Sequence, residues 1–223
     1  LHVWGALLIF AVLLLELADR VVMKRDLEIA RDIQAWLLPG APLQLPGYQI
    51  AYATRPANTV AGDYYDVILR TGATRDDDRV LFVVADVVGK SIPAAMLMAT
   101  FQASLKTLST AQLALPELAA NMNRYACTNS QGGLRFTTAF LALYDPAAHT
   151  LEYINAGHNN PILRRAGGPI ERLDVGGLPF GIQPDAPYVS ATVALDALAD
   201  PQSASGFLAT LRELAAGASA HRQ

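Results

Sequence analysis

An almost uninterrupted apolar stretch opens the chain. Residues 3–15 are all apolar, and only His2 and Glu16 break the pattern around them. A membrane span needs about 20 apolar residues, so residues 1–18 are expected to be the end of a transmembrane helix. A secretory signal fits less well, because no basic region precedes the stretch, and a buried or dimer-forming helix is the remaining alternative. The chain also opens on leucine rather than methionine, which suggests a fragment or a reading frame cut upstream.

A seven-residue apolar repeat follows. Val22, Ile29 and Trp36 recur at this spacing, which predicts an amphipathic linker helix over residues 19–39. Basic residues directly after the apolar stretch favour a cytoplasmic exit from the cell membrane. The stripe could pair with a second copy in a homodimer or pack on the domain that follows, and two heptads do not decide between these.

Residues 40–223 show alternating strand-like and helix-like segments, bounded by proline and glycine turns. Strands are predicted at 48–54, 64–69, 80–85, 136–144, 151–155, 162–165, 170–173 and 189–195, and helices at 92–108 and 116–127. Strands, two central helices and then strands again predict an α/β domain with two sheets and helices outside.

Composition excludes some classes of function. The 223 residues carry a net charge of −3 with a pI of about 5.8, and no basic stripe is present, which argues against a nucleic-acid partner. The single cysteine, Cys127, excludes an internal disulfide and suits a reducing compartment. A small buried residue is a better interpretation of Cys127 than a nucleophile.

The candidate chemistry centres on Asp86, which ends the apolar run 80–85 and precedes a glycine turn. An ionised carboxylate at the edge of a core needs a cation, a charge partner or hydrogen bonds. Together with the next backbone carbonyl, that of Val87, it offers the oxygen ligands that Mg²⁺ or Mn²⁺ prefers. The alternative is that Asp86 caps the following helix. A second cluster of glycine and carboxylates lies upstream, around Asp63 and Asp66.

These two clusters belong to a longer series of motifs that resembles a known family. The other motifs are Ile33-Gln34, the stretch 136–145, Asn155-Ala-Gly-His158-Asn159 and Gly176-Gly-Leu-Pro-Phe-Gly181. In this order they resemble the SpoIIE-type branch of the metal-dependent (PPM, type 2C) serine/threonine phosphatases, over roughly residues 28–195. The resemblance implies a four-layer α-β-β-α sandwich, here incomplete and preceded by a membrane and linker helix.

The resemblance also implies a site and a reaction. Two ions, Mn²⁺ or Mg²⁺, would be bridged by Asp86, with the Val87 carbonyl as a further ligand and Asp63 holding metal-bound waters. Such ions activate water for attack on phosphorus. The implied partner is a phosphorylated regulatory protein, such as an anti-sigma-factor antagonist. Asp66 is expected to be a solvated strand residue, and His158 a hydrogen-bonding structural residue rather than a general acid.

Two features depart from the family. Ser91 stands where the family has glycine, and no Thr-Asp-Gly strand or paired terminal aspartates follow residue 195, where an amphipathic tail appears instead. Asp185, Asp196 and Asp200 lack the context to replace those ligands. Two hypotheses follow: a membrane-tethered phosphatase represented by an incomplete chain, or a catalytically inactive phosphatase-like signalling or binding module.

Overall fold

A computed structural model of the protein describes residues 2–44, 50–53, 59–74, 77–130, 132–165 and 168–195. The apolar stretch and the linker form one continuous helix, α1, His2–Leu37, of 36 residues. No helix within these ranges combines the length and the apolar character needed to cross a membrane. The expected transmembrane segment is therefore not found among them.

Helix α1 is held to the rest of the described protein by contacts near its C-terminal end. The side chains of the heptad stripe are exposed, with Trp36 81% accessible, so the stripe does not pack on the domain. Gln34 is the buried residue of the helix. Leu38, directly after α1, packs against the core, and Gln102 Nε2 donates to the Leu37 carbonyl at 3.5 Å.

Six strands of the described residues form the main sheet, which confirms most of the predicted strands. They are β1 Asp63–Arg70, β2 Arg79–Val87, β3 Thr137–Asp145, β4 Thr150–Ala156, β7 Gly176–Gly177 and β8 Ala191–Ala194. Their order in the sheet is β1-β2-β3-β4-β7, and β8 also pairs with β4. All neighbouring strands are antiparallel except β4 and β7. Strand β2 includes Asp86 and Val87, because its pairing with β3 continues through both residues.

Two helices, as predicted, cover one face of this sheet. They are α2, Ser91–Ser109, and α3, Leu115–Thr128, which has its proline in the first turn. Alternate strand residues point towards them, because successive side chains of a strand face opposite sides. Fully buried residues such as Leu81, Met98 and Leu118 fill the space between, and each buries enough apolar surface to contribute roughly 2 kcal/mol.

The opposite face carries a small second sheet. Strands β5, Ile162–Arg164, and β6, Ile170–Arg172, form the predicted hairpin. Leu163 and Leu173 pack with Phe140 and Leu151 in a second apolar cluster. The described part of the domain is thus a helix layer, a sheet and the start of a second sheet, in agreement with the predicted α/β class.

Two predictions concern other parts of the chain. Residues 50–53 form no strand, and the remainder of the strand predicted at 48–54 lies outside the described residues. Asp196, Asp200 and the amphipathic tail also lie outside them.

Candidate metal centre

The strand register places the two candidate carboxylates side by side. Asp63 at the start of β1 lies opposite Asp86 near the end of β2, and Thr138 of β3 follows in the same row. Because their neighbours Tyr64 and Ala85 point into the core beneath the helices, all three side chains face the other side of the sheet. Both aspartates are exposed. Like charges directly opposite one another destabilise a sheet, so a cation between them would relieve the repulsion.

The backbone around Val87 is packed tightly against the residue before Asp63. The Val87 amide donates to the Gly62 carbonyl at 3.3 Å. A Cβ atom added to Gly62 would lie 2.8 Å from the Val87 carbonyl oxygen, a distance that a side chain could not accept. Glycine at position 62 therefore lets the Val87 carbonyl lie close to the backbone that leads into Asp63.

Asp86 is not the N-cap residue of α2. That position is Lys90, whose side chain forms no capping hydrogen bond. Gly89, with φ of 114°, makes the turn between β2 and α2, a conformation in which glycine is not strained. Ser91, where the family has glycine, also has a positive φ, of 59°. Lys90 is exposed, as a surface lysine would be.

His158 lies next to this row and is a hydrogen-bonding residue, as expected. Its Nδ1 atom is 3.0 Å from Thr138 Oγ1, and its backbone N–H donates to Asn155 Oδ1 at 2.7 Å. The Thr138 hydroxyl donates in turn to the Asp86 carbonyl at 3.4 Å. A hydroxyl has one proton, so when Thr138 donates to Asp86, His158 Nδ1 must carry a proton and Nε2 is an acceptor. Burial lowers the pKa of His158 to about 4, so the ring is neutral at pH 7 and is not an imidazolium acid.

The prediction that Asp66 is a solvated strand residue is wrong, because the residue is buried. Its exposure is 2%. Lys106 Nζ of α2 lies 2.7 Å from one carboxylate oxygen, the Tyr64 hydroxyl donates to the same oxygen at 2.5 Å, and the Val67 amide donates to the other at 2.8 Å. Burial, and then the hydrogen bond to Asp66, raise the pKa of Tyr64. The carboxylate points towards the helices and so does not belong to the Asp63–Asp86 row.

Cys127 agrees with its interpretation as a packing residue. It is half-buried in α3, and its Sγ atom lies 3.5 Å from Asn123 Oδ1. Burial is the largest influence on its thiol and raises its pKa, which disfavours the reactive thiolate.

Gln34 makes a contact with the domain that its sequence context does not predict. Its side-chain Nε2 donates to the Ala61 carbonyl at 2.6 Å, and its Oε1 accepts from the Ala61 amide at 3.0 Å. The available signal was a glutamine next to the apolar stripe, in the motif Ile33-Gln34.

The oxygen atoms of Asp63, Asp86 and the Val87 carbonyl are suitable ligands for a hard divalent cation that keeps part of its water shell. Two adjacent carboxylates and a carbonyl provide oxygen ligands, and Mg²⁺ is commonly held by one or two carboxylates plus waters. Within the described residues, no group of three or more His, Cys, Asp or Glu side chains is placed to hold a metal.

The fold matches solved phosphatase domains of the PP2C type. The SiaA-PP2C domain of Pseudomonas aeruginosa superimposes with a TM-score of 0.63 at 20% identity, covering 80% of this chain and 70% of that one. The structure of the PP2C phosphatase domain and a regulatory-domain fragment of SpoIIE from Bacillus subtilis gives a TM-score of 0.52 at 16% identity, covering 61% of this chain and 38% of that one. These likenesses define an α/β domain of the PP2C phosphatase fold.

Sequence comparison identifies the branch. The family model for stage II sporulation protein E (SpoIIE) matches residues 76–199, more than half of the chain, and the chain belongs to this family. The phosphoserine phosphatase RsbU of Bacillus subtilis (strain 168) is 29% identical over 167 residues, which are 74% of this chain and 48% of RsbU. The chain thus corresponds to about half the length of this relative. The family inferred from the motifs is confirmed.

Proposed function

We propose that the protein is a metal-dependent phosphatase that hydrolyses phosphoserine or phosphothreonine on a regulatory protein, of the anti-sigma-antagonist type. The observation that carries the proposal is the pairing of two exposed aspartates, Asp63 at the start of β1 and Asp86 near the end of β2. Membership of the SpoIIE family supports it, as does the similarity to a protein named as a phosphoserine phosphatase.

The proposal gives each group at the edge a role. Asp86 and the Val87 carbonyl would bind Mn²⁺ or Mg²⁺ directly, and Asp63 would hold metal-bound waters. When bound, such an ion lowers the pKa of water enough to make it a nucleophile near pH 7. Thr138 and the neutral His158 hold the Asp86 backbone in place. The exposure of both aspartates leaves room for a phosphorylated segment of another protein.

Hydrolysis of a phosphoserine peptide by the full chain, with and without Mn²⁺, tests this function. We expect Asp86→Asn and Asp63→Asn to lower metal affinity or activity at least about 10-fold. Asp185→Asn, in an exposed loop whose neighbouring residues contact α3, is the matched control and should retain activity. Equal activity in Asp86→Asn and the unchanged protein would contradict the proposed site.

An inactive phosphatase-like signalling or binding module is the second candidate. The small number of metal-binding side chains near Asp63 and Asp86 in the described residues favours it, since affinity for a divalent ion depends on the number and charge of its ligands. Calorimetric titration with Mn²⁺ separates the two candidates. An unchanged protein that neither binds Mn²⁺ nor hydrolyses the peptide would be the inactive module.

We also propose a location at the cell membrane, with the domain on the cytoplasmic side. Exposed apolar side chains along the first half of α1 support this, among them Trp4, Phe10 and Leu14, as do the basic residues that follow. Sedimentation with anionic lipid vesicles tests it. The full chain should sediment with the vesicles, whereas a chain that begins at residue 19 should stay in solution, and equal behaviour of the two would contradict the proposal.

A further inference from the structure

Gln34 makes an unusual contact for a helix side chain. It is 8% exposed, on a helix whose other described side chains are partly or fully exposed. Its amide group forms two hydrogen bonds to one residue, Ala61, at 2.6 Å and 3.0 Å. Because the amide group is planar and both of its atoms are engaged, the contact fixes the position and the direction of the Ala61 backbone.

Ala61 lies just outside the sheet, where strand pairing no longer holds the backbone. Strand β1 begins two residues later, at Asp63. Gly62 bonds towards β2, because its carbonyl accepts from the Val87 amide, and neighbouring residues of an antiparallel strand bond to opposite sides. The pairing with β2 therefore leaves the amide and carbonyl of Ala61 to other partners, and the Val88 amide donates to the Phe136 carbonyl at 3.0 Å instead. Gln34 supplies both hydrogen bonds to Ala61.

The backbone that Gln34 holds at Ala61 continues directly into two parts of the candidate metal centre, Asp63 and the backbone next to the Val87 carbonyl. Gly62, the next residue, accepts a hydrogen bond from the Val87 amide and lies against the Val87 carbonyl. Asp63, the residue after it, lies opposite Asp86. A shift at Ala61 would therefore move Asp63 and the Val87 carbonyl relative to each other.

We propose that Gln34 is a positioning residue, which holds the segment 61–63 so that Asp63 and the Val87 carbonyl keep their separation. Through this contact the last turns of α1 influence the geometry of the candidate metal centre, although α1 itself contributes no ligand to it. The backbone part of this inference stands on hydrogen bonds alone, and its effect on metal binding rests on the proposed function.

Hydrogen exchange of the metal-free full chain, followed by mass spectrometry, tests the backbone part. Gln34→Leu keeps most of the side-chain volume but removes both hydrogen bonds, and exchange within residues 59–63 should become roughly 10-fold faster, whereas peptides from β3 and β4 should not change. Gln34→Glu keeps the acceptor for the Ala61 amide and should have an intermediate effect. Gln102→Leu, which removes the other glutamine contact between α1 and the domain, is the control and should leave residues 59–63 unchanged.

Calorimetry with Mn²⁺ on the same variants tests the consequence. Gln34→Leu should weaken Mn²⁺ binding by about 10-fold, and Gln102→Leu should not. Unchanged exchange in residues 59–63, or equal acceleration in every peptide, would overturn the positioning role. Local acceleration with unchanged Mn²⁺ affinity would overturn its link to the metal centre. An unchanged protein that binds no Mn²⁺, while Gln34→Leu still loosens this segment, would contradict the proposed function and leave the backbone role intact.

Discussion

Asp66 is a buried carboxylate whose charge is balanced by Lys106 from α2. Removing one member of such a pair leaves the other charge poorly compensated, which is costly in a core. Because Lys106 is 44% exposed and water can partly replace it, we expect Lys106→Ala to cost about 1–3 kcal/mol. Urea unfolding measures this cost. Lys24→Ala, on the exposed surface of α1, is the control, and an equal effect of the two substitutions would show that the pair contributes nothing.

Ser91 is the first residue of α2 and has a left-handed backbone conformation, with φ of 59°. This conformation costs an L-residue roughly 1–2 kcal/mol, whereas the greater freedom of glycine in the unfolded chain costs about 0.5–1 kcal/mol. Ser91→Gly should therefore stabilise the protein by up to about 1 kcal/mol, seen as a higher midpoint of urea unfolding. Ser104→Gly, inside the same helix, should instead destabilise it by about 0.5 kcal/mol. A loss of stability in Ser91→Gly would contradict the expected relief of strain.

Helix α1 is attached to the domain through its last turns, so its two ends should differ in importance. Deleting residues 1–30 should leave the free energy of unfolding nearly unchanged. Deleting residues 1–38 also removes the two Gln34 hydrogen bonds and the packing of Leu38, and should cost about 2–3 kcal/mol. Urea unfolding of both truncated chains gives the comparison. Equal stability of the two would mean that the last turns of α1 do not support the domain.

Strands and helices could be predicted from the sequence where the segment was long enough to show the periodic spacing of apolar residues. Strands β1 to β4 and helices α2 and α3 follow directly from alternation, helical spacing and turn residues. Strand β7 was missed because it consists of two glycines, Gly176 and Gly177, which show no period. Residues 50–53 have the composition of a strand but form none. Local preference alone does not provide a neighbouring strand to pair with.

At the scale of the whole molecule, the candidate site was only partly predictable. Asp63 and Asp86 could be named from motifs, but the register that pairs them depends on the complete sheet. The contact of Gln34 with Ala61 spans 27 residues, and the burial of Asp66 depends on how α2 crosses the sheet. No local pattern encodes such distances, so Asp66 was predicted to be solvated and the role of Gln34 was missed.

The stability of the whole molecule should depend on His158 below neutral pH. The pKa of its ring is about 4 in the folded protein, because of burial, and about 6.5 in an unfolded chain. Above pH 6.5 both states hold the neutral ring, so stability is complete. As the pH falls towards 4, the unfolded state binds a proton that the folded state does not, and at most about 3 kcal/mol is lost. His158→Gln removes this loss, so the advantage of the unchanged protein over the variant should shrink between pH 7 and pH 4. His149→Gln, in an exposed turn, is the control. If the free energies of unfolding of the unchanged protein and His158→Gln differed by the same amount at every pH, burial of the His158 ring would not disfavour its protonation.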